Sequence, residues 1–172
     1  GIFNQDVIDV TYIYELKDAR VIATYVDEGG IEIANSVIID GKVFDNYGTS
    51  AKDIYGYSLE RVNGNETGIM TEETINVEYV YQLKPAKVIT NYVDTQGITL
   101  APSVTTTGFV FDRYSTNALQ IAGYNLTGLP ENREGSMTES DIVVNYVYEK
   151  IPAQVIAVYR DSDGMILASE EE

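Results

Sequence analysis

The feature that most constrains this chain is a self-match at one ungapped spacing. Asp27, Asp94 and Asp161 recur every 67 residues. In that register Gly41 meets Gly108, Phe44-Asp45 meets Phe111-Asp112, Gly56-Tyr57 meets Gly123-Tyr124, and Tyr79-Val80-Tyr81 meets Tyr146-Val147-Tyr148. Roughly half of the aligned positions are identical, so the fold must be one that a segment of this length can form and repeat. The spacing divides the chain into the last strand of a preceding repeat (1–15), two whole repeats (16–82 and 83–149) and the start of a third (150–172).

Within each repeat the pattern is mainly that of β-structure. Ile75, Val77, Tyr79 and Tyr81 alternate with Asn76, Glu78, Val80 and Gln82, and Ile142, Val144, Tyr146 and Tyr148 repeat the alternation. A period of two with β-branched and aromatic residues suits a half-buried strand. Ile8, Val10, Tyr12 and Tyr14 match the same positions near the start of the chain. Val21–Val26 and Val88–Val93 read as central strands, each closed by an Asp-led turn that starts a second strand. Ser50-Ala51-Lys52-Asp53 and Asn117-Ala118-Leu119-Gln120, followed by Gly56 and Gly123, predict a helix of one or two turns. The fold class expected is therefore α+β, predominantly β. Pro85 and Pro152 disfavour helix in the junctions, so the chain is expected to pass extended from module to module, as an elongated rod of independently folding units. The terminal pieces, cut from their own modules, are expected to pack on a whole module or pair with another copy of the chain.

Charge narrows the partners. With 27 acidic and 11 basic residues the formal net charge is −16, which argues against nucleic acid and anionic lipid. The repeats share the bias unevenly: residues 16–82 hold 12 acids and 5 bases, net −7, and residues 83–149 hold 7 and 4, net −3. No run reaches the roughly 20 apolar residues that span a bilayer, and no signal-peptide pattern opens the chain, which reads as an internal fragment without membrane insertion of its own.

The chain has no His and no Cys, so the common nucleophile–base pairs, disulfides and thiolate metal sites are unavailable, and no Gly-rich phosphate cradle is present. The expectation is a protein that is not an enzyme and that uses no cofactor and no metal. The acids that survive alignment, Asp27 with Asp94, Asp45 with Asp112 and Glu72 with Glu139, read as turn and strand-edge residues rather than as a carboxylate pair for sugar cleavage. Asp161-Ser162-Asp163-Gly164 has some likeness to a calcium loop, but the matching turns lack the alternating oxygens. A lysine–asparagine crosslink would need a lysine in both repeats, and Lys42 and Lys52 become Phe109 and Leu119.

What remains for contact chemistry is aromatic and amide. Of 14 tyrosines, Tyr25, Tyr79, Tyr92 and Tyr146 fall on inward strand positions. Tyr47, Tyr57, Tyr114 and Tyr124 flank the expected helix, where a ring can stack on a sugar face while its hydroxyl hydrogen-bonds. Asn65 and Asn132 recur in a loop where an amide either meets a glycan hydroxyl or closes a turn. These six residues are the candidate ligand-binding set.

The succession Tyr25-Val26-Asp27, Gly30, Ile33-Ala34, Gly41, Tyr47-Gly48-Thr49-Ser50-Ala51-Lys52-Asp53-Ile54 and Gly56-Tyr57, closing on Val77-Glu78-Tyr79-Val80-Tyr81, resembles the MucBP (mucin-binding protein) repeat, and the second copy carries it too. Departures are Asn35 against Pro102 and phenylalanine, not glycine, at positions 44 and 111. The resemblance implies ubiquitin-like, β-grasp-type modules, in tandem, on the surface of Gram-positive bacteria such as Listeria and lactobacilli. It implies an extracellular adhesin segment that binds mucin or other host glycoprotein glycans and neighbours further repeats. Cell-wall anchoring would lie in a part of the protein outside this sequence. The alternative is a stalk that only holds a distal binding domain away from the wall.

Overall fold

The computed structural model describes residues 9–171. They fall into two compact units that meet in sequence at Lys84 and Pro85.

The first unit contains β1 (Asp18–Asp27), β2 (Glu32–Lys42), β3 (Asn46–Gly48), β4 (Tyr57–Asn63), β5 (Thr67–Ile69) and β6 (Ile75–Leu83). Four of these form a sheet in the order β2-β1-β6-β4, and β3 with β5 makes a separate two-stranded ribbon. β1 runs antiparallel to β2 but parallel to β6. The period-two pattern is what selects this sheet. Val21, Ala23 and Tyr25 on β1 and Val77, Tyr79 and Tyr81 on β6 all point into one core, while alternate residues face outward. The parallel register sets Tyr25 beside Tyr79, and their rings stack with centroids 5.2 Å apart.

The second unit repeats the plan with β7 (Pro85–Asp94), β8 (Thr99–Phe109), β9 (Arg113–Ser115), β10 (Tyr124–Leu126), β11 (Glu134–Ser136) and β12 (Ile142–Lys150). Its sheet order is β10-β12-β7-β8, with the ribbon β11-β9 apart. Tyr92 lies beside Tyr146 across the parallel pair, with ring centroids 5.8 Å apart. The units differ at one edge: β10 has 3 residues where β4 has 7. Gly128 and Pro130 stand there in place of Arg61 and Asn63, and proline cannot donate to a ladder. Thr127 continues the edge by giving both its amide and its hydroxyl to the Val147 carbonyl. Asn132 gives its side-chain amide to the carbonyl of Val143.

A hairpin of β13 (Ile156–Arg160) and β14 (Ile166–Glu171) follows. Its turn is built like the two before it. Asp27 Oδ1 accepts the amides of Gly29 and Ile31, Asp94 Oδ1 those of Gln96 and Ile98, and Asp161 Oδ1 those of Asp163 and Met165, all at 2.8–3.0 Å. The triply repeated aspartate is thus a turn residue. Asp45 and Asp112 act similarly, accepting the amides of Lys42 and Phe109.

One expectation is overturned. No helix occurs among the described residues, so the predominantly β part of the expected class holds and its helical part is corrected: 49–56 and 116–123 are irregular loops closed by a turn. The cause is competition for backbone groups. Tyr81 Oη accepts the Lys52 amide and donates to the Lys52 carbonyl, and Tyr148 does the same to Leu119. A helix would need those same groups for its own i to i−4 bonds. The strand expected over 1–15 falls partly on residues 1–8, outside the described residues, and residues 9–17 form no strand.

Candidate functional site

The tyrosine cores decide what the surface above them can be. In the first unit Tyr25, Tyr79 and Tyr81 are buried, and their hydroxyls reach one loop. Tyr25 donates to the Ser50 carbonyl at 3.1 Å, Tyr79 to Thr49 Oγ1 at 2.8 Å, and Tyr81 takes both backbone groups of Lys52. In the second unit Tyr92 donates to the Asn117 carbonyl at 3.3 Å, and the hydroxyls of Tyr146 and Thr116 lie 3.0 Å apart. Burial pushes the Tyr25, Tyr79 and Tyr92 phenols above their usual range, because a phenolate would lose its hydration there. These phenols hold structure and stay neutral at physiological pH.

Four of the six candidate residues are brought together in two pairs. Tyr47 on β3 is buried and donates to the Asn65 carbonyl. Tyr114 on β9 is half-buried and donates to the Asn132 carbonyl. Asn65 and Asn132 expose their side chains. Tyr57 and Tyr124 lie apart from these pairs, half-buried at the first positions of β4 and β10 and packed against the two cores. Close packing shapes the ribbons: a Cβ on Gly68 would lie 2.9 Å from the Tyr47 ring, and one on Gly135 would lie 3.3 Å from that of Tyr114.

A feature that the sequence reading passed over lies between β7, β8 and the loop after β9. Thr90 and Tyr92 floor an open cleft of about 230 Å³. Val104 and Thr106 line it from β8, and Ser115, Thr116 and Leu119 from the opposite side. Thr90 is 2% exposed. The signal was available in the repeat register, where the first module has Ala23, Ile39 and Gly48 opposite Thr90, Thr106 and Ser115. The first module also has Lys52 opposite Leu119. Its ammonium lies 4.1 Å from the centre of the Tyr25 ring and donates to the Asn35 carbonyl, a cation–π arrangement that lays the lysine across its own module.

Among the described residues no group of three or more acidic side chains is placed to hold a metal ion, and no helix is long and apolar enough to cross a membrane. The ion pairs are exposed ones, such as Lys17 with Glu72 and Lys87 with Asp141, which contribute little to stability.

These features define a tandem of small β-sheet modules with tyrosine-rich cores. The chain belongs to the MucBP domain family: the family model matches residues 20–82 and again residues 87–149. It is 41% identical over 159 residues to internalin J of Listeria monocytogenes serotype 4b (strain F2365), covering 89% of this chain and 17% of that protein. It is 30% identical over 156 residues to internalin I of the same strain, covering 87% of this chain and 9% of the relative. The chain therefore spans less than a fifth of the length of either relative. Among solved structures it is similar to the crystal structure of Mub-RV, at 16% identity and a TM-score of 0.32, over 78% of this chain and 100% of the other.

Proposed function

We propose that this chain is a non-catalytic adhesin segment of a Gram-positive surface protein, whose modules bind mucin or other host glycoprotein glycans outside the cell. The observation that carries this reading is the family match on both modules. The acidity of the chain favours uncharged contacts, because sialylated and sulfated glycans are themselves anionic. The six-residue set belongs to this proposal: Asn65 and Asn132 are exposed, although Asn132 donates its side-chain amide to the Val143 carbonyl, Tyr57, Tyr114 and Tyr124 are partly exposed, and Tyr47 is buried. Each module is read as a β-grasp-type sheet, with the parallel pair at its centre and an extended crossover in place of the helix. Anchoring to the wall is assigned to another part of the protein.

The second reading is a stalk, in which the modules only extend a distal domain from the surface. It is favoured by the junction, where the single residue Lys84 separates β6 from β7, and the rod expected from the sequence is the form it requires. Immobilised mucin, intact and enzymatically deglycosylated, separates the two. An adhesin segment is retained by intact mucin and released when the glycans are removed. A stalk is retained by neither.

A further inference from the structure

We propose that Phe44 is a contact residue for a neutral sugar ring, its exposed phenyl stacking on the C–H face of a hexose or N-acetylhexosamine within a glycan chain. This rests on the glycan-binding reading and assigns it a residue, a place in the fold and a ligand class.

The first argument is backbone strain. Among the described residues Phe44 and Phe111 are the non-glycine residues with positive φ, at 77° and 76°. In that region a Cβ crowds the following carbonyl oxygen, and glycine is the residue that fits. Bulky residues held there gather at ligand contacts and other functional sites. The two turns are built alike. Phe44 donates its amide to the Met70 carbonyl at 2.9 Å, Met70 donates to the Asp45 carbonyl at 2.7 Å, and Asp45 Oδ2 accepts the Lys42 amide at 2.7 Å. Phe111, Met137, Asp112 and Phe109 repeat all three bonds. None of them uses the phenyl ring, so glycine would make the same turn with less strain.

The second argument is that packing does not account for the ring. Phe44 is 72% exposed, while Val43 beside it and Met70 across from it are buried in the core. The side chain thus stands on a turn fixed by buried neighbours, a preformed platform that loses little freedom when a ligand meets it.

The surroundings select the ligand. Of the exposed residues around the turn, Lys42, Asp45 and Asn46 are polar, and Ile69, paired with Asn46 across the ribbon, is apolar. A small apolar surface among polar groups suits one pyranose, which presents C–H bonds on a face and hydroxyls at its edge. A protein partner needs a broader apolar centre. The charges beside the ring are already matched: Lys42 Nζ meets Asp18 Oδ1 at 2.6 Å, and the Asp45 carboxylate holds the Lys42 amide. The face of a phenyl ring is itself electronegative. It attracts polarised C–H bonds and disfavours a carboxylate, so the ligand is an uncharged sugar rather than sialic acid.

The test is an amide chemical-shift titration of the full chain with methyl galactoside, N-acetylgalactosamine and N-acetylglucosamine, with sialic acid as the charged comparison. At least one neutral sugar should bind weakly and shift the amides of Val43–Asn46, while its own C–H protons move upfield under the ring current. Phe44→Gly should weaken this roughly two- to tenfold, as the loss of one aromatic contact does. Phe44→Tyr keeps a flat ring and should bind like the parent. Phe44→Leu keeps an apolar side chain without the flat face and should bind like the glycine variant, which keeps the test available if Phe44→Gly fails to fold. The inference is overturned if no neutral sugar shifts these amides, if sialic acid shifts them equally, or if Phe44→Leu binds like the parent. It is also overturned if the sugars do nothing and Phe44→Gly instead abolishes a self-association seen by sedimentation, because the ring would then dock on a second copy of the chain. Mucin capture by the same proteins separates the two levels. If parent and Phe44→Gly are retained alike, the glycan-binding reading stands and this site is wrong. If the parent is not retained while the sugar shifts at Phe44 persist, the site stands and the mucin reading falls.

Discussion

The hydroxyl of Tyr81 closes a two-way hydrogen bond with the peptide groups of Lys52, accepting its amide at 2.8 Å and donating to its carbonyl at 2.9 Å across 29 residues of sequence. Tyr148 and Leu119 repeat it at 2.9 Å in both directions. Tyr81→Phe and Tyr148→Phe each leave a partly buried amide and carbonyl without that partner. Each change should cost about 1–3 kcal/mol, measured by urea unfolding, and should selectively speed amide exchange at Lys52 or Leu119. Unchanged protection at those amides would show that the loops are held by something else.

A second consequence follows from Phe44 and Phe111, which have φ values of 77° and 76°, the left-handed region that favours glycine. Phe44 is 72% exposed, so its ring contributes little packing. Phe44→Gly should be at least as stable as the parent, because the relief of backbone strain offsets glycine's entropy cost. Phe44→Ala, which keeps the strain, should fall about 1 kcal/mol below the glycine variant. Equal stability of the two variants in urea would remove backbone strain as the cause.

The repeat, the module count and the strand pattern were legible in the sequence because periodicity and burial agree. Val21, Val77 and Tyr79 alternate in the chain and are 0% exposed in the fold. The helix was misread because Ser50 and Gly56 offer local capping chemistry, whereas the deciding bonds come from tyrosines on β1 and β6, distant in the chain on either side of the loop. The ribbons of β3 with β5 and β9 with β11 escaped for a related reason: strands of 3 residues carry no periodic signal. The Thr90 cleft was hidden by reading Val88–Val93 as an apolar central strand. The alanine opposite Thr90 in the first repeat marked it, but only a comparison of differences between the repeats, rather than of identities, would have found it.

The buried phenols set an alkaline limit. In the unfolded chain tyrosine ionises near pH 10, while burial holds Tyr25, Tyr79 and Tyr92 protonated to higher pH. The unfolded chain therefore releases its protons first. The stability tied to these groups is complete below about pH 10 and is lost as pH rises through the folded values. Urea midpoints should hold between about pH 7 and pH 9 as far as these groups decide them and drop above about pH 10. Phenolate absorbance of the native protein should show a fraction of the tyrosines titrating late. All tyrosines titrating near their ordinary value, with the protein still folded, would contradict the buried, hydrogen-bonded cores.

The central claim is that an acidic chain, net −16, recognises glycans through uncharged short-range contacts. Ionic strength tests it most directly. Raising salt shortens the Debye length from about 30 Å at 0.01 M to about 8 Å at 0.15 M, which screens repulsion between the chain and anionic mucin but leaves hydrogen bonds and apolar contacts largely intact. Binding of the full chain to immobilised intact mucin, measured across that range, is predicted to stay constant or strengthen. A steep loss of binding with added salt would contradict the account, because it would mean that attraction between opposite charges, not the uncharged surface, holds the glycan.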